Sequence, residues 1–292
     1  VKKYSGGVPL VAVERSGFDE SWHHGSVVVL SADGDVLASA GDPIGPIFPR
    51  SSNKPFQAIG MVRNGLRVST RDLALVAASH SAEDMHLDGV RTLLASAGLT
   101  ESDLRCPPVD EQHGPIHMNC SGKHTGMLLT CVANGWSIHD YYAPSHPLQQ
   151  RILATIEECA SESVAAVGVD GCGAPVAAFS LTGLATGFLR TATHEVADAI
   201  RAYPEMMSGT GRDDALLMRA VPGLYCKGGA EGVWAAAVPG VGAVALKIDD
   251  GARRACGPVM VSALKRLGIT ADLPLTPVLG RGAPVGTLRA LW

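Results

Sequence analysis

The chain has 292 residues, with 24 Lys and Arg against 28 Asp and Glu and a formal net charge of -4. Hydrophobic residues make up 46% and charged residues 18%, a balance that supports a sizeable buried core and excludes intrinsic disorder. Basic residues cluster no further than pairs such as Arg253-Arg254, so nucleic acid is not an expected partner.

The N-terminal part predicts strands over residues 8–14 and 26–30, and a third over 36–40 after the turn Ala32-Asp33-Gly34-Asp35. A helical period then takes over. It predicts helices over 55–62, 84–96, 122–133, 147–159, 195–203, 213–221 and 253–267. A second hairpin, 232–238 with 241–248, turns at Pro239-Gly240, and residues 284–291 supply a last strand. Strands, a mainly helical middle at about 55–220, then strands again predict an α+β fold. Its antiparallel sheet is built from both chain ends with a helical region inserted, all in one domain over 1–292.

The longest apolar stretch, residues 233–246, is broken by Pro239, Gly240 and Gly242, so no membrane span and a cytoplasmic location are expected. Seven cysteines are an odd number spread over a long chain, unlike a disulfide scaffold.

Five short segments carry the chemistry. In Arg50-Ser51-Ser52-Asn53-Lys54-Pro55, Pro55 suits a helix start, which places Ser51 and Lys54 three apart on one face. A neutral lysine amine beside a serine can remove its proton, and Ser-x-x-Lys is the local signature of that chemistry. Taken alone, the segment fits an N-cap serine with a solvated lysine better. In Ser79-His80-Ser81-Ala82-Glu83, Ser79 offers a second hydroxyl able to relay a proton or attack, or an ordinary helix cap. Tyr225-Cys226-Lys227-Gly228-Gly229 puts a lysine on a strand beside small residues, where a substrate can approach the backbone. Two lysines in one site depress each other's pKa, which suits a general base. Finally, Asn119-Cys120-Ser121-Gly122-Lys123-His124 and Asp170-Gly171-Cys172-Gly173-Ala174-Pro175 place two cysteines in glycine-containing turns that could share a metal, without the paired Cys-x-x-Cys of a structural zinc site.

In this order the segments closely resemble the class 3 (Rhizobium-type) L-asparaginases. Tyr203-Pro204-Glu205-Met206 and Gly209-Thr210-Gly211-Arg212 are similar to that family's pattern as well. The resemblance implies a β-lactamase-like fold, hydrolysis of L-asparagine to L-aspartate and ammonia, and a homodimer. It implies two Ser–Lys pairs, Ser51 with Lys54 and Ser79 with Lys227. It also implies zinc held by Cys120, Lys123 and Cys172, and substrate contacts from Arg50 and Asp170. His80 and His124, which lie inside two of these segments, are added as candidate substrate-binding residues.

The expected mechanism is acyl transfer. Ser51, activated by Lys54, attacks the side-chain amide, and backbone N–H groups near Ser51 hold the oxyanion. Asp170 takes the substrate's α-ammonium and Arg50 its α-carboxylate. Ser79 can exchange roles with Ser51. The rival readings are a penicillin-recognising serine hydrolase or β-lactamase, and a non-catalytic, zinc-dependent ligand-binding protein.

Overall fold

The computed structural model describes residues 3–292. The first strands are β1 (Val8–Arg15), β2 (Phe18–Ser31), β3 (Val36–Ala40) and β4 (Pro46–Ile47). A 3-10 turn at Arg50–Asn53 leads into α1 (Lys54–Arg63), α2 (Thr70–Val76), α3 (Asp84–Ser96), α4 (Ser121–Asn134) and α5 (Pro147–Ala160). A hairpin of β5 (Ala166–Val169) and β6 (Pro175–Ser180) precedes α6 (Leu181–Thr191), α7 (Glu195–Ala202), α8 (Pro204–Met207) and α9 (Asp213–Ala220). The chain closes with β7 (Tyr225–Gly228), β8 (Val233–Val238), β9 (Gly242–Ile248), α10 (Cys256–Arg266), β10 (Val278–Gly280) and β11 (Ala283–Ala290).

The main sheet runs β10-β11-β1-β2-β9-β8-β7, with β3 added beside β2, and every pairing is antiparallel. Both chain ends therefore build it, as the order of periodicities predicts. Strand β2 does two jobs. Residues 18–25 alternate between exposed and covered positions while pairing with β1. From Gly25 to Ser31 every residue faces β9, and Ser26–Leu30 are wholly buried. Strands β8 and β9 are buried on both faces, and α6 and α10 pack against this part of the sheet. Their alanines (235, 236, 237, 243 and 245) let the helices approach closely.

The middle is less purely helical than its periodicity implies. Strands β4, β6 and β5 form a separate three-stranded sheet, and Asp170–Pro175 is the turn joining its hairpin. Among the described residues, no helix is long and apolar enough to cross a membrane. All seven cysteines are buried and unbridged.

Candidate active site

The end of the apolar helix α2 delivers Ser79 to the centre of the molecule. Lys54, at the first position of α1, is fully buried and does not turn toward Ser51. Its Nζ donates to the Ala78 carbonyl at 2.6 Å, to Ser79 Oγ at 3.0 Å and to Asn119 Oδ1 at 3.4 Å. From β7, buried Lys227 donates to the same Ser79 Oγ at 2.8 Å and to the Gly228 carbonyl at 2.9 Å. Ser79 therefore sits between two lysines. The expected pairing of Ser51 with Lys54 is not among the hydrogen bonds of that lysine. The 3-10 turn at Arg50–Asn53 ends where α1 begins, and the Ala78 carbonyl draws the lysine inward.

Ser51 does reach the site by another route. It lines a cavity of about 410 Å³ together with Ser79, Asn119, Arg212, Lys227 and Arg253. The turn that holds it passes so close to β7 that a Cβ on Gly229 would meet the Pro49 carbonyl at 2.5 Å and the Ser52 nitrogen at 3.0 Å. Only glycine permits that approach. Arg50, just before Ser51, adopts a left-handed φ of 52°, a costly backbone state for a bulky residue and one that recurs at functional sites.

Burial shifts both amines. It lowers Lys54 from 10.5 to about 8. It lowers Lys227 from 10.5 to about 7, where the Asp214 carboxylate opposes the shift and the Lys54 charge adds to it. Asp214 carries no mark of a site residue in the sequence. It is buried near the start of α9, and its Oδ1 accepts from the Gly228 N–H at 2.8 Å. One carboxylate thus fixes the backbone beside Lys227 and holds up that lysine's proton affinity against the effect of burial. Position 214 lies in an ordinary helix-start sequence, Arg212-Asp213-Asp214, which gives no signal of this role.

Arg50 and Asp170 come together, but with each other. Arg50 Nε donates to Asp170 Oδ1 at 2.8 Å, and neither residue lines the cavity that contains Ser79. Burial raises the Asp170 pKa, but the Arg50 bond and the Lys123 charge outweigh it and hold the carboxyl below its ordinary value.

The two histidines expected at the substrate are not among the residues that line the cavity. His80 Nε2 meets Ser121 Oγ at 2.9 Å, and its Nδ1 accepts from the Ala82 N–H at 3.2 Å. Burial, aided by His86 stacked at 5.0 Å, drives its pKa down to about 3, so the ring is neutral. His124 Nδ1 meets the Tyr141 hydroxyl at 2.8 Å, and burial lowers its pKa to about 4. Its Nε2 is buried without a hydrogen-bond partner.

The His124 ring belongs to a second cluster. Cys106 Sγ, Cys120 Sγ and a ring nitrogen of His124 lie within 4.8 Å of one another. Lys123 Nζ lies 3.1 Å from Cys172 Sγ. Helix α4 can carry Cys120 and Lys123 this deep because Gly122 packs on α2, where a Cβ would meet the Leu75 carbonyl at 2.3 Å. In the sequence Cys106, followed by Pro107-Pro108, reads as one more small buried cysteine. The donors are thiols, an imidazole and an amine, and they fit a thiophilic divalent ion such as zinc.

The family model for L-asparaginase II matches residues 11–289. Among solved structures, the glutamate form of Mglu aligns with a TM-score of 0.50 at 15% identity, over 83% of this chain and 61% of that one. The native form of Mglu aligns at 14% identity with a TM-score of 0.47, and this chain spans 62% of its length. A β-lactamase from Mycobacterium bovis aligns at 13% identity with a TM-score of 0.42, over 84% of this chain and 95% of that one. The first of these likenesses concerns the fold alone, an antiparallel sheet with helices packed on it. No curated protein matches the sequence.

Proposed function

We propose that this chain, which belongs to the L-asparaginase II family and is thereby an amidohydrolase, hydrolyses the side-chain amide of L-asparagine with Ser79 as nucleophile. The observation that carries the reading is the pair of buried lysines at 3.0 and 2.8 Å from one serine oxygen.

The two lysines have different surroundings and take different roles. Lys54 faces three acceptors, the Ala78 carbonyl, Ser79 and Asn119, which use all three protons of an ammonium. Lys227 faces one carbonyl besides Ser79, so a neutral amine there can donate once and accept the serine proton. Lys227 is then the general base and Lys54 the fixed positive charge beside the developing oxyanion. Ser79's own N–H is committed to the Met207 carbonyl at 2.9 Å, which leaves oxyanion donation to other groups, the turn at Ser51 among them.

Attack by Ser79 Oγ on the amide carbon sends the hydroxyl proton to Lys227. Collapse of the intermediate breaks the C–N bond and returns that proton to the departing nitrogen as ammonia. Water then cleaves the acyl ester by the reverse use of Lys227. Zinc fits Cys120, Cys172 and Lys123, with Cys106 and the free Nε2 of His124 at hand. When bound, it would neutralise the thiolates and order the two turns that carry them.

Ammonia release from L-asparagine and L-glutamine, with nitrocefin as the comparison substrate, tests the proposal. Rapid release from asparagine with no nitrocefin turnover is expected. Nitrocefin turnover without ammonia release would favour a penicillin-recognising hydrolase, and neither activity would favour a binding protein.

A further inference from the structure

The wall of the cavity carries a cation that no described residue neutralises. Arg212 ends the Gly209-Thr210-Gly211-Arg212 segment, lines the same cavity as Ser79 and Lys227, and is exposed. Among the described residues its side chain has no hydrogen bond or ion pair. The other guanidiniums nearby are spent. Arg253 pairs with Asp213 at 3.3 Å and Asp214 at 3.8 Å, and it lies 4.6 Å over the Trp234 ring. Arg50 is bonded to Asp170.

The backbone that carries Arg212 is tied to the segment that carries Ser79. The Ser79 N–H donates to the Met207 carbonyl at 2.9 Å. Four residues on, Glu83 takes the Thr210 N–H at 2.8 Å and the Thr210 hydroxyl at 2.7 Å. The left-handed φ of Gly211, 70°, turns the chain between these anchors and Arg212. A guanidinium with a fixed base and a free head, at a set remove from the nucleophile, suits an anionic group on the molecule being attacked.

We infer that Arg212 binds the α-carboxylate of the substrate, so that the site takes free ω-amide amino acids and rejects the same amide lacking that carboxylate. The inference rests on the amidohydrolase reading for what is hydrolysed, but its binding arm stands apart from catalysis. Arg50, engaged with Asp170, is then not the carboxylate clamp.

Arg212→Gln and Arg212→Lys test it, with thermal melts to verify that both variants fold. In ammonia release, Arg212→Gln raises the KM for L-asparagine about 10- to 100-fold, the range for losing a charge-assisted bond, while kcat holds within a few-fold. Arg212→Lys recovers part of the loss, since it keeps the charge without the fork. Turnover of β-alaninamide, which is asparagine without its α-carboxylate, is poor and equal in all three proteins. Calorimetry with L-aspartate gives weaker binding to Arg212→Gln by a similar factor. If wild type binds L-aspartate through Arg212 yet releases no ammonia, the carboxylate site stands and the amidohydrolase reading falls. Unchanged KM and unchanged L-aspartate affinity in Arg212→Gln, or no L-aspartate binding by wild type, overturn the inference.

Discussion

Replacing Lys227 with methionine should inactivate the enzyme and stabilise it in acid. Lys227 is wholly buried, and its pKa falls from 10.5 to about 7 on folding. Below about pH 7 the native state must hold a buried ammonium that it disfavours. Between pH 7 and 10.5 the unfolded chain still carries the proton that the native lysine has released. Stability of the wild type therefore rises with pH across that window, and its deficit is complete below it. At about 1.4 kcal/mol for each pH unit between the two values, the ammonium costs the native state on the order of 5 kcal/mol in acid. Methionine has a similar length and no charge, so Lys227→Met escapes the cost. Urea unfolding followed by tryptophan fluorescence, from pH 6 to pH 10, measures both proteins. The variant is the more stable at pH 6, and about 4 kcal/mol of the gap closes by pH 10. Lys54 is present in both proteins and largely cancels. A gap that does not change with pH would refute a depressed Lys227, and with it the assignment of the general base.

Other outcomes follow from the same geometry. Ser79→Ala should lose on the order of 10⁴ or more in turnover and Ser51→Ala much less, and the opposite ranking would return the nucleophile to Ser51. The free amine of Lys227 is the competent form, so kcat/KM should climb with pH through about 7. Because the Asp214 charge holds that value up, Asp214→Asn should move the acid limb to lower pH, and an upward move would contradict the role. Elemental analysis should find zinc in the purified protein and less of it in Cys172→Ser, with chelation raising KM more than it lowers kcat. A zinc-free preparation with full activity would remove the metal from the site.

The sheet was readable from the sequence because its strands are β-rich runs bounded by turns such as Asp33-Gly34 and Pro239-Gly240, and β3 falls where it was placed. Helix α6, Leu-Thr-Gly-Leu-Ala-Thr-Gly-Phe-Leu-Arg-Thr, is not legible in the sequence. Two glycines and three threonines give it poor helix propensity, and burial against the sheet stabilises it instead. Strands β5 and β6 escaped because their turn, Asp170–Pro175, drew notice as a ligand segment and its flanks did not. In the site, residue identities were readable and pairings were not. Ser-x-x-Lys spacing puts Ser51 and Lys54 near each other in the chain, but the direction of a buried lysine is set by the carbonyl it can reach. Here that carbonyl is Ala78, 24 residues away. Asp214, Cys106 and the free head of Arg212 matter only through neighbours distant in sequence.

The register of β2 against β9, Gly25 opposite Ile248 and Ser31 opposite Gly242, has a kinetic consequence. The helices between them can form from nearby contacts, but Lys227 rides on β7, which joins the sheet through β8 and β9. A ribosome must release nearly the whole chain before β9 can lie on β2, and closing so long a loop is slow. Ser79 and Lys54 can thus meet early, while the base arrives last. On refolding from urea, amidase activity should lag behind recovery of the helical circular-dichroism signal, and simultaneous recovery would mean that the two ends of the sheet find each other before the middle is built.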